Sequence, residues 1–372
     1  MDAAPFEIFL VATPGLEAPL LEEARQAGFA GARQCEGGVG FSGTWPDIWR
    51  ANLVLRGATR VLARMASFRA LHLAQLDKRA RKLDWAGMLR PDIPVHVEAS
   101  CKRSRIYHAG AASQRVARAI AETLGAPIAE NAPIRVMVRI EDDLVTISLD
   151  TSGESLHKRG FKPGVAKAPM RETMAALFLR QCGFTGAEPL LDPMCGSGTF
   201  VIEAAEIAAG LHPGRERAFA FEHLPAFDPA HWARLRAAAS PRVPAFTFHG
   251  SDRDPGAIRM AGENAARAGV APWTRFETAS IETLAPPAGP PGLVIVNPPY
   301  GARIGNKAPL MALHRLFGTV LKARFAGWRV GLVTADKALA QATGLDFLPP
   351  LPPVLHGGIR VGLYRTGPLP KI

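Results

Sequence analysis

Short hydrophobic runs, separated by turn residues, characterise the first part of the chain. The largely apolar run at 6–12 and the shorter run at 38–43 are predicted to form strands. Helical periodicity follows the first run as far as Arg25. A second helix is predicted to begin at Trp45, because the next residue is a proline and proline is favoured in a first helical turn. This pattern predicts a small α+β unit over residues 1–55.

A second α+β unit is predicted over residues 56–150. The pattern indicates strands at 61–68, 95–99, 134–140 and 144–149 and a helix at 111–124. The basic residues 101–108 interrupt this periodicity and are predicted to form a loop. Residues 151–169 lack periodicity and contain glycine and proline, so we interpret them as a linker.

From residue 170 the pattern changes to alternating helices and apolar strands. Strands are predicted at 189–192, 246–251, 274–278, 292–296 and 329–334, with helices at 170–182 and 256–268 and another that ends near residue 209. Strands separated by helices predict a mainly parallel sheet with ligands at the carboxyl ends of its strands. A hairpin predicted at 354–364 adds an antiparallel finish, which departs from a plain dinucleotide-binding fold.

The charge of the chain is concentrated in one stretch. The net charge is +11 and the isoelectric point about 9.9, which suggests a polyanionic partner. Residues 56–118 contain 14 Lys/Arg and 4 Asp/Glu, whereas residues 1–55 contain 3 and 7. The second predicted unit is therefore the expected contact for a nucleic acid.

The cysteines are scattered along the chain and show no metal-binding spacing: Cys35, Cys101, Cys182 and Cys195. We therefore expect neither a disulfide framework nor a metal site. The first residues lack the basic start and apolar core of a signal peptide, and no apolar run approaches the roughly 20 residues of a membrane span. A cytoplasmic, monomeric protein without membrane association is expected.

Residues 190–200 (Leu-Leu-Asp-Pro-Met-Cys-Gly-Ser-Gly-Thr-Phe) are typical of a strand end, a glycine loop and the start of a helix. Gly196 and Gly198 permit positive φ and close approach of a ligand to the backbone. The loop lacks the third glycine of a dinucleotide motif and the Gly-Lys-Ser/Thr of a phosphate-binding loop. Asp192 suits a ligand with an amino-acid ammonium group better than a pyrophosphate. A purely structural turn is the alternative.

A second carboxylate follows the next strand of this region. Asp252 at a strand end is expected to accept both ribose hydroxyls of an adenosyl group, as acidic residues do in dinucleotide-binding folds. Asp254 is the competing candidate. Its position before Pro255, however, favours a role as the cap of the following helix.

The most specific motif is Asn297-Pro298-Pro299-Tyr300, again at a strand end. The amide oxygen of Asn297 and the carbonyl of Pro298 can accept the two hydrogens of an exocyclic amine. This would localise the lone pair of the nitrogen and direct it at a methyl donor, while Tyr300 stacks on the base. A bare turn after a buried strand is the alternative. Together with the upstream glycine loop, the motif predicts methyl transfer to an amine.

These two motifs, with His-Lys-Arg-Gly-Phe at 157–161 and Ala-Pro-Met-Arg-Glu at 168–172, resemble those of the THUMP-containing RNA guanine-N2 methyltransferases. That group includes enzymes of large-subunit ribosomal RNA and of tRNA. The resemblance covers nearly the whole chain. It implies a Rossmann-like class I methyltransferase domain over 170–372, with a mainly parallel seven-stranded sheet and an antiparallel final strand. It also implies a ferredoxin-like piece over 1–55 and a THUMP domain over 56–150.

The resemblance further implies S-adenosyl-L-methionine as the cofactor. The residues that it assigns to cofactor binding are Asp192, Pro193, Met194, Gly196, Gly198, Thr199, Asp252, Ser280 and Asn297. The residues that it assigns to catalysis are Asn297, Pro298, Pro299 and Tyr300. One position departs from the family pattern, because an acidic residue that contacts the adenine amino group is expected near 280. Either Ser280 substitutes for it or Glu282 reaches the adenine.

Basic residues are predicted to contact the RNA backbone, namely Lys102, Arg103, Arg105, Arg115, Arg118, Lys158 and Arg159. A solvated basic face is the alternative for those in the second unit. Lys158 and Arg159 could instead shape the cofactor pocket or lie in an exposed linker. A target amine inside a duplex would have to be flipped out before it could enter the site.

The predicted function is transfer of a methyl group from S-adenosyl-L-methionine to N2 of a guanine in ribosomal RNA or tRNA. Methylation of adenine N6 in nucleic acid or of a protein glutamine is the alternative, and an RNA-binding protein with a relic domain is another. Cys195 could act as the nucleophile of a pyrimidine-C5 methyltransferase. That role is disfavoured, because the residue lies on the cofactor loop rather than beside the base.

Overall fold

The N-terminal half of the chain is built around one sheet. The computed structural model describes residues 5–161, 170–299 and 308–371. The strands of this half are β1 (Phe6–Val11), β2 (Arg33–Cys35), β3 (Gly38–Gly43), β4 (Arg60–Arg69), β5 (Val95–Lys102), β6 (Ile134–Glu141) and β7 (Leu144–Asp150). Its helices are α1 (Glu17–Gln26), α2 (Trp45–Val54), α3 (Leu73–Ala80) and α4 (Ala109–Leu124).

Strand pairing joins both predicted α+β units into this sheet, with the order β2-β3-β1-β4-β7-β6-β5. β1 pairs antiparallel with both β3 and β4, so the sheet is continuous from one unit to the next. β5 pairs in parallel with β6 as far as Lys102 opposite Glu141. The predicted loop at 101–108 was therefore wrong at its start, because Cys101 and Lys102 continue the strand pairing.

Local signals explain where several of these helices begin and end. α2 begins as predicted, since the Asp47 carboxylate accepts hydrogen bonds from the backbone N–H and the hydroxyl of Thr44 at 3.0 and 3.2 Å. α4 ends at Gly125, whose φ of +82° is left-handed. The short helix α3 was not predicted, since only Leu76 and Ala80 among its eight residues are buried.

The C-terminal half alternates strands and helices. Its strands are β8 (Leu190–Asp192), β9 (Phe248–Asp252), β10 (Thr274–Thr278), β11 (Leu293–Val296), β12 (Arg329–Thr334), β13 (Val354–His356) and β14 (Ile359–Arg365). Its helices are α5 (Glu172–Gln181), α6 (Thr199–Ala209), α7 (Pro229–Ala237), α8 (Pro255–Arg267), α9 (Ala308–Arg324) and α10 (Lys337–Ala342). Throughout the described ranges, no helix has both the length and the apolar character needed to cross a membrane.

These strands form a second seven-stranded sheet with the order β10-β9-β8-β11-β12-β14-β13. The first five are parallel, whereas β14 runs antiparallel to both β12 and β13. The apolar strands β11 and β12 pack with α9 in a buried cluster around Val294, Leu332, Phe317 and Leu321. The predicted class I methyltransferase fold, with its antiparallel final strand, is confirmed.

The chain divides into two compact units, and each unit is made of segments that are not continuous in the sequence. One comprises Met1–Ala12, Leu21–Leu156 and Arg217–Ala238, and the other Thr13–Leu20, His157–Glu216 and Ala239–Ile372. The segment 217–238, which includes α7, lies between α6 and β9 in the chain but belongs to the first unit. The domain boundaries drawn from the sequence therefore stay predictions.

Aromatic side chains account for the place of segment 217–238 in the first unit. Phe221 stacks edge-on against Trp232 with ring centroids 5.1 Å apart, and its ring centroid lies 6.3 Å from that of Trp49 in α2. The backbone N–H of Phe221 also donates to the carbonyl of Thr151 at 3.0 Å. Burial of these large rings stabilises the segment there, although α7 was not predicted.

Two glycines inside helices of the second unit should respond oppositely to alanine. A Cβ at Gly318 in α9 would lie 1.8 Å from the carbonyl oxygen of Thr343, whereas a Cβ at Gly262 in α8 would meet nothing within 4 Å. We expect Gly318→Ala to destabilise the protein by about 2 kcal/mol or more through overpacking. Gly262→Ala should stabilise it by about 0.5–1 kcal/mol, since alanine favours a helix. Urea unfolding of both variants checks this, and equal effects would contradict the close contact at Gly318.

Candidate active site

Three of the predicted site residues lie at the ends of adjacent strands. β9, β8 and β11 are neighbours in the sheet and are parallel, so their carboxyl ends share one edge. Asp252 is the last residue of β9, Asp192 is the last of β8, and Asn297 directly follows β11. The fold therefore brings together three side chains that are 60 and 45 residues apart in the sequence.

The glycine loop after β8 has the backbone geometry that its sequence predicts. Gly196 and Gly198 have φ of +51° and +83°, and Gly198 is the N-cap of α6. A Cβ at Gly198 would lie 3.1 Å from Ala261 and 3.2 Å from the Phe276 ring. Glycine is thus required there both for the left-handed backbone and for space.

The two competing carboxylates after β9 have different partners. Asp254 caps α8, since its carboxylate accepts the backbone N–H of Gly256 at 2.8 Å. The carboxylate of Asp252 accepts the N–H of Gly196 and of Asp254, both at 3.0 Å. A carboxylate oxygen can accept more than one hydrogen bond, so Asp252 retains acceptor capacity for ribose hydroxyls. The capping role of Asp254 is confirmed, and the ribose contact of Asp252 stays a prediction.

A chain of hydrogen bonds from α8, which was not predicted from the sequence, holds the glycine loop in place. The buried Asn264 amide of α8 donates to the carbonyl of Ser197 at 3.0 Å. Its oxygen accepts a hydrogen bond from Arg267 at 2.6 Å, and Arg267 also donates to the carbonyl of Phe161 at 3.0 Å. An asparagine followed by two alanines inside a predicted helix was the available signal, since a buried amide needs partners.

Asp192 is buried and has little to balance its charge. Only 2% of the residue is exposed, and one of its oxygens accepts the backbone N–H of Met194 at 3.1 Å. Burial raises the pKa of the Asp192 carboxyl to about 8, and the nearby negative charge of Asp252 adds to the shift. A cationic ligand group beside this carboxylate would offset the free-energy cost of burying its negative charge. The site therefore fits the ammonium group of S-adenosyl-L-methionine.

Asn297 presents a buried hydrogen-bond acceptor without a partner. Its amide oxygen is inaccessible to solvent and accepts no hydrogen bond from the residues that the structure describes. Pro298 beside it is buried and Pro299 is exposed. Tyr300 lies outside the described residues. Buried polar groups nearly always have a hydrogen-bond partner, so this oxygen is a candidate acceptor for a hydrogen-bond donor of a ligand.

The remaining residues predicted for the cofactor lie around this edge. Pro193 and Thr199 are buried. Met194 is half-buried and packs against the apolar cluster formed by β11, β12 and α9. Ser280 is exposed and follows Ala279, whose N–H donates to the carbonyl of Asp252 at 3.0 Å. Glu282, two residues further on, is also exposed, so both candidates for the adenine contact stay open.

Cys195 is a core residue of the loop. Its side chain is buried, and its backbone N–H donates to the carbonyl of Ser251 at 2.9 Å. Burial raises the pKa of the Cys195 thiol far above its usual range, so a thiolate nucleophile is disfavoured. Within the described part of the chain, no group of three or more His, Cys, Asp or Glu side chains could hold a metal ion.

Most of the cations predicted to bind RNA in the first unit are already paired. Lys102 contacts Glu36 and Glu141 at 3.0 and 3.1 Å, and Arg103 contacts Glu141 and Asp142 at 2.7 and 3.0 Å. Arg118 contacts Glu122 on the same helix at 2.6 Å. In contrast, Arg105 and Arg115 are exposed and form no ion pair with any residue that the structure describes.

The two basic residues predicted near the linker differ in environment. Lys158 is exposed. Arg159 is 2% exposed and pairs with the fully buried Glu203 of α6 at 3.0 Å. Arg159 cannot reach a phosphate without leaving Glu203, so its burial opposes both the predicted RNA contact and the exposed-linker alternative, and a role in shaping the cofactor pocket stays a prediction.

Comparisons with known proteins identify the family. A model described as the RMKL-like methyltransferase domain matches residues 159–347, which is more than half of the chain. The chain belongs to the RMKL-like family of S-adenosyl-L-methionine-dependent methyltransferases. A second model, the RlmL ferredoxin-like domain, matches residues 7–62. The predicted cofactor and the ferredoxin-like N-terminal piece are thereby confirmed.

Individual relatives agree with this family. The chain is 34% identical over 345 residues to the ribosomal RNA large subunit methyltransferase K/L of Vibrio campbellii, a match that covers 88% of the chain and 49% of that relative. The chain thus spans about half the length of the curated relatives it matches. A protein of Clostridium difficile 630 described as a possible methylase has 28% identity and a TM-score of 0.88, with 99% of each chain covered. The structure of SMU.472 in complex with SAH has 27% identity and a TM-score of 0.89, with 100% of each chain covered.

The raised pKa of Asp192 makes the stability of the unliganded methyltransferase depend on pH. Because the folded state holds this proton up to about pH 8 while the unfolded carboxyl releases it near 4, the free energy of unfolding should fall as pH rises between these values. The slope is at most about 1.4 kcal/mol per pH unit. Asp192→Asn should flatten it, whereas Asp254→Asn, an exposed cap in the same region, should not. Urea unfolding from pH 5 to 8 measures the slope, and an unchanged slope in Asp192→Asn would contradict the assignment.

Proposed function

We propose that this methyltransferase acts on the exocyclic N2 of a guanine in RNA. The observation that carries the proposal is the buried, unpartnered amide oxygen of Asn297 at the strand edge that also holds Asp192 and Asp252. A guanine amine offers two N–H donors. Asn297 can accept one of them, and the carbonyl of Pro298 can accept the other.

These two acceptors would also prepare the amine chemically. S-adenosyl-L-methionine supplies an electrophilic methyl group on a sulfonium. Hydrogen bonds to both N–H groups hold the nitrogen lone pair out of conjugation with the ring and direct it at that methyl group. With the donor bound, the amine nitrogen would take the methyl group from the sulfonium, and the resulting cationic amine would release its proton to solvent. The two adjacent prolines restrict the backbone, and Tyr300 is proposed to stack on the base.

An RNA substrate is supported by charge and by the relatives. The basic stretch at 56–118 attracts phosphates, and the matched Vibrio campbellii relative is named for ribosomal RNA. Because the chain spans about half of that relative, ribosomal RNA and tRNA both stay within the proposal. A cytoplasmic location and a monomeric state stay predictions.

Transfer of a labelled methyl group tests the substrate. The purified protein is incubated with labelled S-adenosyl-L-methionine and RNA from cells that lack it, and the modified nucleosides are separated. We expect the label in N2-methylguanosine of ribosomal RNA or tRNA. Label in N6-methyladenine or in protein glutamine would favour the alternative substrates, and absence of transfer with retained cofactor binding would favour a non-catalytic RNA-binding role.

Two substitutions should separate the roles of Asn297 and Asp252. Asn297→Ala removes an acceptor for the target amine, so it should reduce methyl transfer at least about 100-fold with little change in cofactor affinity. Asp252→Ala removes the proposed ribose contact and the acceptor of the Gly196 N–H, so it should weaken cofactor binding first. Calorimetric titration of the cofactor, together with kcat for RNA, distinguishes them. Equal loss of cofactor affinity in both variants would contradict these roles.

A further inference from the structure

Among the large hydrophobic side chains of the described ranges, the most exposed one lies between Arg105 and Arg115, two of the residues predicted to contact RNA. Tyr107 is 83% exposed, in the short connection between β5 and α4. The chain has only three tyrosines, and aromatic rings are usually buried at least in part. A ring as exposed as that of Tyr107 is therefore a candidate contact for a binding partner.

The connection that carries Tyr107 is held firmly on both sides. The Ser104 hydroxyl accepts the N–H of Asp143 at 3.1 Å, and the N–H of Arg105 donates to the Asp143 carboxylate at 2.7 Å. Ile106 is buried, and the His108 ring caps α4 by accepting the N–H of Ala111 at 3.1 Å. The ring is thus presented from a fixed backbone, which lowers the entropy cost of binding.

Two unpaired cations accompany this ring. Arg105 precedes it by two residues, and Arg115 lies in α4, seven residues and thus about two helical turns beyond the N-cap His108. In the described part of the chain neither guanidinium forms an ion pair, whereas Lys102, Arg103 and Arg118 are all neutralised by carboxylates. A stacking surface beside free guanidinium groups is the combination that binds single-stranded nucleic acid.

We propose that Tyr107, Arg105 and Arg115 form a binding site for an unpaired segment of RNA. The ring of Tyr107 stacks on one unpaired base, and the two arginines contact the neighbouring phosphates. The site recognises a single-stranded region rather than a base sequence, because every base offers a face for stacking. This inference rests on the proposed RNA substrate and specifies which feature of the RNA the first unit binds.

Fluorescence anisotropy with a labelled single-stranded oligoribonucleotide and a duplex of the same sequence tests the ring. Tyr107→Ala should weaken binding of the single strand about 5- to 100-fold, whereas Tyr107→Phe should stay within about twofold of the wild type. Duplex binding should change little, since its bases are already stacked. Equal binding of the single strand by wild type and Tyr107→Ala would overturn the proposal, as would failure of the wild type to bind it.

Arg115 and Arg118 offer a matched comparison for the charges. They lie one turn apart on α4, but Arg118 pairs with Glu122, whereas Arg115 forms no ion pair with a residue of the described ranges. Glu122 also pairs with Arg81 at 2.6 Å, so Arg118→Ala does not leave that carboxylate alone. Arg115→Ala should reduce the slope of log affinity against log salt by about 0.7, the value for one phosphate contact on a single strand. Arg118→Ala should change it much less, and equal changes would contradict the assignment of Arg115.

The methylation assay separates this inference from the proposed function. Tyr107→Ala should raise KM for RNA and leave cofactor affinity and thermal stability unchanged, because the residue is exposed and belongs to the first unit. A wild-type protein that binds single strands through Tyr107 but methylates no guanosine would contradict only the proposed function. Undiminished RNA affinity and KM in Tyr107→Ala, with guanosine methylation intact, would contradict only the inference.

Discussion

The site depends on a loop that is held by its neighbours rather than by its own residues. The Gly196 N–H is bound by Asp252, the Cys195 N–H by the carbonyl of Ser251, and the Ser197 carbonyl by Asn264. Each of these partners is more than 50 residues away in the chain. The glycines make the backbone conformation accessible, but β9 and α8 select it from the many that glycine allows. The same contacts tie the loop to Asp252, so the two parts proposed to bind the cofactor are positioned together.

The buried carboxylates of the second unit differ in what balances their charge. Glu203 and Glu206 of α6 are both fully buried, and each is paired with an arginine, Arg159 and Arg215 respectively. Asp192 is almost as inaccessible, but within the described residues its carboxylate accepts a hydrogen bond from the backbone N–H of Met194 and forms no ion pair. A buried carboxylate without a cation costs stability in the unliganded state, because burial disfavours its charge. The fold tolerates this cost at Asp192, where a cationic ligand would offset it.

The sequence predicted those features that arise from contacts close in the chain. The start of α2 at Trp45, the positive φ of Gly196 and Gly198, and the capping role of Asp254 follow from residues within a few positions of one another. The strands β11 and β12 were predictable because their sequences are largely apolar. The pairing of Arg159 with Glu203 and the place of segment 217–238 could not be predicted, since they depend on tertiary packing that no local pattern encodes.

Ion pairing divides the positive charge of the first unit into two classes. Lys102 is neutralised by Glu36 in the turn between β2 and β3 and by Glu141 of β6, so a count of basic residues overstates the charge available to phosphates. Attraction to phosphates is independent of sequence and would favour every RNA equally. In the proposed function, discrimination would therefore arise at the acceptors of Asn297 and Pro298, where shape and hydrogen bonding select the base. The basic surface of the first unit would attract RNA and leave the choice of base to that pocket.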